Sequence, residues 1–403
     1  MKKVYFFIYS PFRIKLYESI ATKYKEKGND IYFVVQDLYS YFLIKRSWNN
    51  VILFRMKLDS KYTHSEINIS QSIDILSEHV SFDVANKLSL SFQKLLNQLK
   101  LNENCLVFAG NGYHIQDCIL KYYQEVSGFK IIFSELSNID GKTFFDHKGS
   151  NASSYLYSFA EKYNNTEVLS AEKINKLNVW KKEYTKNKTC NHNVRQAKNK
   201  NIRDKIIWRS FNLLDYILNI PSFSVLKYKS NFPNRKSTAI KDYGSYLGNK
   251  GYYFLPLQVT DDSQIKINSD YNNKDAIKYY LEQSKNNGFD LVIKIHPAEK
   301  DQQFIKYIEE LVENKMVFIS SENTFKLMTN ANKVCVINST AGLEAILLDK
   351  DVEFLGRSFY SYLKNDSLLY YYIFEYLINI DFFSGLYSDD VFLEQIGERF
   401  GDK

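Results

Sequence analysis

The sequence predicts an α/β protein built from two Rossmann-like domains that face a cleft. Three observations carry this. Continuous apolar runs alternate with amphipathic stretches, first near the N terminus and again after residue 250. Buried parallel strands covered by helices on both faces read this way. At 403 residues the chain exceeds one comfortable core. Polar clusters recur where the apolar runs end, and open α/β sheets bind ligands beyond the carboxyl ends of their strands.

In the first half, VYFFIYS (4–10) is predicted as a strand, 14–27 as a helix and DIYFVVQ (30–36) as a strand. CLVFAGNG (105–112), a helix over 114–127 and KIIFSE (130–135) repeat the unit. The second half opens with YYFLPLQ (252–258), a helix over 273–287 and the strand DLVIKIHP (290–297). A helix over 303–313, MVFIS (316–320), a helix over 324–330, KVCVINS (333–339), a helix over 341–348 and VEFLG (352–356) complete it. This half lacks the GxGxxG dinucleotide fingerprint. The expected division is 1–180 as an N-terminal domain, 181–245 as a basic helical linker or insertion, and 246–362 as a C-terminal domain. An aromatic, helical tail over 363–403 is placed to pack back on the first domain.

Hydrophobic content of 45% with 25% charged residues places the chain among globular rather than disordered proteins. Aromatics reach 16%, a share read first as packing. The four cysteines have no CxxC spacing and the six histidines no HxxxH pair. Reduced thiols and the absence of a metal or other cofactor are therefore expected. The opening MKKVYFFIYSPFRIK is broken by Pro11 and reads as a strand rather than a leader. No run approaches the ~18 apolar residues of a membrane span.

The net charge of +7 raises a nucleic-acid reading, but no helix-turn-helix, RRM or zinc pattern accompanies it, so no nucleic-acid partner is expected. From 181 to 209 lysine and arginine crowd the chain, and IIWRSFNLLDYILNI (206–220) follows. A basic run before an aromatic amphipathic helix suits an anionic membrane surface. A helix packed on its own domain with solvated lysines suits it equally.

Four clusters bear chemistry. In IKIHP, His296 leaves a buried strand with its direction restricted by Pro297, and reads either as a phosphate ligand or as a loop cap. In NSTAGLE, Asn338, Ser339 and Thr340 open a helix, whose free N–H groups favour an anion. There Gly342 is expected to allow close approach of a ligand, and Glu344 to bond a ribose or complete a capping box. In PLQVTDDSQ, Gln258, Asp261 and Asp262 follow the first strand of the second half, and one carboxylate is a candidate nucleophile or base. FSELSNIDGKTFFDHKGSN (133–151) reads as a long polar loop. It offers Glu135 for proton transfer, and Asn138, Asp140, Lys142 and Asn151 for an acceptor, with Asn111 in the GNG turn beside them.

Taken together and in order, ELSNIDGKTFFDHKGSN, PLQVTDDSQI, KIHPAEK and INSTAGLEAILLDKDVEFLGRSFY resemble the capsular polysaccharide biosynthesis family of bacterial β-Kdo transferases, over roughly residues 100–362. The likeness is greatest to its smaller, single-module member. It implies a GT-B fold, a CMP-Kdo donor and transfer with retention, with no metal required for donor binding. It implies that His296, Ser339 and Thr340 contact CMP, and that Asp262, four residues after Gln258, is the nucleophile, with Asp261 the runner-up. Glu135 then becomes the acid/base on the opposing domain, and Lys294 a partner for phosphate or for the Kdo carboxylate. The implied acceptor is a lipid or Kdo-lipid of capsule linker synthesis. The implied location is cytoplasmic, peripheral on the inner membrane, with other capsule assembly proteins as partners. A sialyltransferase, another nucleotide-sugar transferase and a non-enzymatic basic scaffold are the alternatives.

Overall fold

A computed structural model describes residues 2–56, 67–163, 168–190, 202–230, 241–389 and 391–400. The chain divides into two compact units. The first comprises Met1–Leu156, Lys198–Phe232 and Ile373–Lys403, and the second Tyr157–Ala197 and Pro233–Tyr372.

The first unit holds strands β1 (Lys3–Ile8), β2 (Asp30–Val35), β3 (Val51–Leu53), β4 (Cys105–Ala109), β5 (Lys130–Leu136) and β6 (Thr143–Asp146). They lie in the order β3-β2-β1-β4-β5-β6, all parallel except β6, which runs antiparallel to β5. Side chains of β1 alternate between two cores, as a period of two requires. Val4, Phe6 and Ile8 join the cluster containing Ile14, Tyr17 and Ile20 of the helix Ile14–Glu26. Tyr5 and Phe7 join the one containing Val84, Leu88 and Phe92 of the helix Phe82–Leu99. Phe6 stacks between Phe33 and Phe108 at 5.2 and 4.8 Å.

The second unit holds β7 (Tyr252–Pro256), β8 (Asp290–Lys294), β9 (Phe318–Ile319), β10 (Lys333–Val336) and β11 (Val352–Phe354). All are parallel, in the order β11-β10-β7-β8-β9. Read from the other edge, this is the same winding as the first sheet: third, second, first, fourth, fifth. In each sheet the winding reverses between the first and fourth strands, and that switch point is where doubly wound folds open a crevice for ligands.

The α/β class and the two Rossmann-like domains agree with the sequence; the boundaries lie elsewhere. Residues 157–180 belong to the second unit, and 181–245 is not one body. The helix Ala171–Cys190 stays with the second unit, while the described parts of the helices Ile202–Ile217 and Phe223–Lys229 belong to the first. Part of the basic run, 191–201, lies outside the described residues. Stretch 133–151 is a β-hairpin rather than a long loop, because Phe133, Phe144 and Phe145 alternate into cores. The tail is only partly helical. Thr143 exchanges backbone hydrogen bonds with Ile378 at 2.9 and 3.1 Å, covering the edge of β6. Ile378, Ile380, Phe382, Phe392 and Ile396 fill the core shared with β1.

Candidate functional site

In the second sheet the switch point falls between β7 and β10, and the second residue beyond each strand reaches for the other. Gln258 Nε2 donates to Asn338 Oδ1 at 3.1 Å, and the Asn338 N–H donates to Gln258 Oε1 at 3.4 Å. Asn338, 1% exposed, also donates through Nδ2 to the Gln264 carbonyl at 2.7 Å. Gln258 accepts at its own carbonyl from Asn273 Nδ2 at 2.8 Å. Both side chains were expected to meet the donor. They are buried and bonded to each other instead, so they set the floor of the site. Buried amides persist only with partners, and this pair supplies them.

On that floor stand Asp262 and His296. Asp262 caps the short helix Ser263–Asn268, its Oδ1 accepting from the Gln264 N–H at 2.8 Å. Burial pushes its carboxyl above the ordinary range, opposed by the Gln264 N–H, the Gln258 side chain and the charge of His296. His296 lies two residues past the end of β8, in a turn, and its Nδ1 accepts from the Ala298 N–H at 3.1 Å. The ring proton of the neutral form therefore sits on Nε2. Burial holds the imidazole below its ordinary value, against the pull of Asp262 and Glu299. His296 is solvent-exposed in its turn, and the downward shift favours the neutral form, which donates through Nε2.

Glu299 did not stand out in the sequence. It is buried, and its Oε2 accepts from the Thr260 N–H and hydroxyl at 2.8 and 2.9 Å. Its Oε1 accepts from the N–H groups of Lys300 and Asp301 at 2.8 and 2.9 Å. This carboxylate ties the loop of Asp262 to the loop of His296. An acid following a proline turn was the available signal.

Ser339 caps the helix Thr340–Leu347, its Oγ accepting from the Ala341 N–H at 3.1 Å, and Thr340 is exposed beside it. Three expectations need correction. Gly342 does not open space for a ligand, since a Cβ there would lie 2.3 Å from Phe354 Cζ and 3.0 Å from Val336 Cγ2. It lets the helix lie on the sheet. Glu344 sits too far along the helix for a capping box with Ser339. It pairs instead with Lys188 of the helix Ala171–Cys190 at 3.6 Å, and burial raises its carboxyl. Lys294 donates to the carbonyls of Ser321 and Glu322, bracing the loop after β9. Pro297 is exposed in the turn.

In the first unit the corresponding switch point lies between β1 and β4. Buried Asp117 accepts from the N–H groups of Gly110 and Gly112 at 3.2 and 2.9 Å and from the Tyr9 hydroxyl at 2.9 Å. A Cβ on Gly110 would approach Asp117 Oδ2 to 2.8 Å, so the GNG turn is shaped by this carboxylate. Asn111 is partly exposed at its tip, with Oδ1 accepting from the Tyr113 N–H at 3.2 Å. Glu135 sits at the carboxyl end of β5, partly exposed. Nearby, Arg13 Nε donates to Ser134 Oγ at 3.3 Å, placing at this edge a cation that the sequence did not single out. Asn138, Asp140 and Lys142 lie in the β5–β6 turn, and Asn151, buried with φ of 46°, opens a 3-10 turn after it.

The family model described as capsule polysaccharide biosynthesis protein matches residues 146–363. Protein FixF of Sinorhizobium fredii is 35% identical over 116 residues, 28% of each chain. The capsule polysaccharide export protein KpsS of Escherichia coli is 28% identical over 119 residues, 27% of this chain and 31% of KpsS. The match thus spans less than a third of each curated relative. Among solved structures, the Thermosulfurimonas dismutans KpsC β-Kdo 2,7-transferase aligns with 77% of this chain and 88% of its own, at 18% identity and a TM-score of 0.39. With more than half of its length matched by the family model, the chain belongs to the capsule polysaccharide biosynthesis protein family.

Proposed function

We propose that this protein is a glycosyltransferase that moves Kdo from CMP-β-Kdo, with retention, onto a lipid or Kdo-lipid acceptor in capsular polysaccharide synthesis. The observation that supports it best is that a carboxylate, a donor imidazole and a capped helix N terminus follow the carboxyl ends of the adjacent strands β7, β8 and β10 of one sheet. Such a terminus favours an anion, and the imidazole supplies Nε2–H. Together they suit the CMP phosphate without a metal. The family membership and the ordered motif set agree with this reading.

The chemistry follows from the donor. The anomeric carbon of Kdo is quaternary and loses CMP through an oxocarbenium-like state. The Asp262 carboxylate attacks it opposite the phosphate. The C–O bond to CMP breaks, and its electron pair leaves on the phosphate, which His296 Nε2–H and the helix terminus receive. An acceptor hydroxyl then displaces Asp262 and gives its proton to a base, the role the family resemblance assigns to Glu135. Two inversions give retention.

The test is incubation with CMP-Kdo and a lysophospholipid, with mass spectrometry of the product. Transfer is expected from CMP-Kdo and not from UDP-sugars, with CMP rather than UDP raising the melting temperature. Asp262→Asn, Glu135→Gln and His296→Ala should each lower transfer by at least about 100-fold while the fold is kept. Full activity of Asp262→Asn sinks the nucleophile assignment. Transfer from CMP-sialic acid in place of CMP-Kdo would replace the sugar and keep the site.

A further inference from the structure

The helical hairpin of the first unit is inside out. Between Ser210 and Ser230 the single acidic residue is Asp215, and it is 1% exposed, its carboxylate accepting from the Leu38 N–H at 2.9 Å. The apolar side chains around it face outward: Leu213 is 62% exposed, Ile217 63% and Tyr228 67%, with Leu214, Leu218 and Phe223 also exposed. A helix that folds for its own core does the reverse. Leu213 with Ile217, and Leu214 with Leu218, fall at i,i+4 spacing, which makes one continuous stripe. Contiguous exposed apolar surface of this kind marks an interaction site.

Lysines flank the stripe, one of them, Lys87, paired with Asp83 at 2.6 Å. Lys227 and Lys229 lie on the helix Phe223–Lys229, and Lys87 is near enough to Lys229 for their charges to repel. Lys229 also sits over the Tyr216 ring, at 6.0 Å from its centroid. Leucine and isoleucine at the centre, tyrosine and phenylalanine at the margin and lysine at the rim form the profile of a helix lying in a bilayer interface. The hairpin is also fastened to the carboxyl edge of the sheet. Gln36, just beyond β2, donates through Nε2 to the Pro221 carbonyl at 2.6 Å and accepts from Gln116 Nε2 at 2.6 Å. Gln116 lies in the helix Ile115–Ser127 that follows the GNG turn.

We infer that residues 213–228 seat this protein on an anionic lipid bilayer, with Leu213, Ile217 and Phe223 in the acyl boundary and Lys227 and Lys229 on the headgroups. Among the described residues no helix is long and apolar enough to cross a membrane, and this stripe needs none. Seating here brings the carboxyl edge of the first sheet to the lipid surface, which rests on the proposal of a lipid acceptor.

The test is co-sedimentation of the full chain with vesicles of phosphatidylethanolamine and phosphatidylglycerol, against phosphatidylcholine vesicles. Wild-type protein should pellet with the anionic vesicles only. Leu213→Glu with Ile217→Glu, and separately Lys227→Glu with Lys229→Glu, should weaken binding at least about tenfold. Melting temperature should stay unchanged, and Lys182→Glu, on the second unit, should bind as wild type. CMP-Kdo transfer to a water-soluble acceptor, measured on the same variants, should persist. Its absence in wild type would count against the transferase reading alone. Equal vesicle binding by all variants overturns the inference. So does wild-type protein that stays in the supernatant, whether as a monomer whose own chain covers the stripe or as a dimer that Leu213→Glu with Ile217→Glu dissociates.

Discussion

His114 shows how one ionisable residue can hold a strand end in place. Its Nδ1 lies 3.1 and 3.3 Å from the two oxygens of Asp74, beside the GNG turn. Burial draws the imidazole down, but the charge and hydrogen bond of Asp74 outweigh it and push the value up to about 9. Asp74 is held below its ordinary range, its own burial outweighed by His114. A histidine raised on folding contributes stability that is complete below its unfolded value near 6.5 and is lost as pH rises through about 9. The lowered carboxylate contributes above about 3.8 and loses its share as pH falls through its depressed value. His114→Gln should therefore cost about 1–3 kcal/mol near pH 6, and the gap from wild type should close above pH 9 in urea unfolding. At this scale the sequence was a partial guide. Asp262, His296, Ser339 and Thr340 stood out because each follows an apolar run, and each does lie beyond the carboxyl end of a strand. Gly342 and Asn338 were misread, because a polar residue or glycine at a strand end looks the same whether solvent or protein fills the space beside it. Only the Phe354 ring and the Gln258 amide, both distant in sequence, decide the matter.

Among elements, the two loops that carry Asp262 and His296 depend on a third residue. Four donors converge on Glu299, and a neutral amide in its place would set an NH₂ group against some of those N–H groups. Glu299→Gln should cost about 2–3 kcal/mol in unfolding and, on the proposed reading of the site, weaken CMP binding several-fold by calorimetry, because the loops would separate. Unchanged CMP affinity would show that Thr260 and the His296 turn hold their places independently. The basic helix Ala171–Cys190 shows where element reading fails. Lys181 pairs with Asp349 and Asp366 at 3.0 and 3.4 Å, and Lys173 and Lys176 lie over the Tyr370 ring. A lysine run in sequence carries no sign of the acids it will meet: of the run that suggested a membrane, Lys181 and Lys188 pair within the unit, and 191–201 lies outside the described residues. The apolar half of the same stretch kept its outward face, because Asp215 takes the buried place.

Across the molecule, both sheets share one winding, and the alternation of strands and helices made that class readable without a glycine fingerprint. The division of the chain was not readable, since it depends on which distant segments meet. The family match ends at residue 363, yet the six buried side chains Ile378, Ile380, Phe382, Phe392, Leu393 and Ile396 complete the first core. A chain ending at Tyr372 should lose that core and aggregate. The check is size-exclusion chromatography, where a soluble, cooperatively melting product would show the segment to be dispensable.

This arrangement also sets an order of assembly during synthesis. Every segment of the second unit has emerged by Tyr372, whereas the first unit, though it begins at the N terminus, waits for residues beyond Ile373. The half translated first is thus the half finished last, and until then the edge of β6 that Ile378 covers and the core that Phe392 and Ile396 complete stay open to whatever chaperones accompany the nascent chain.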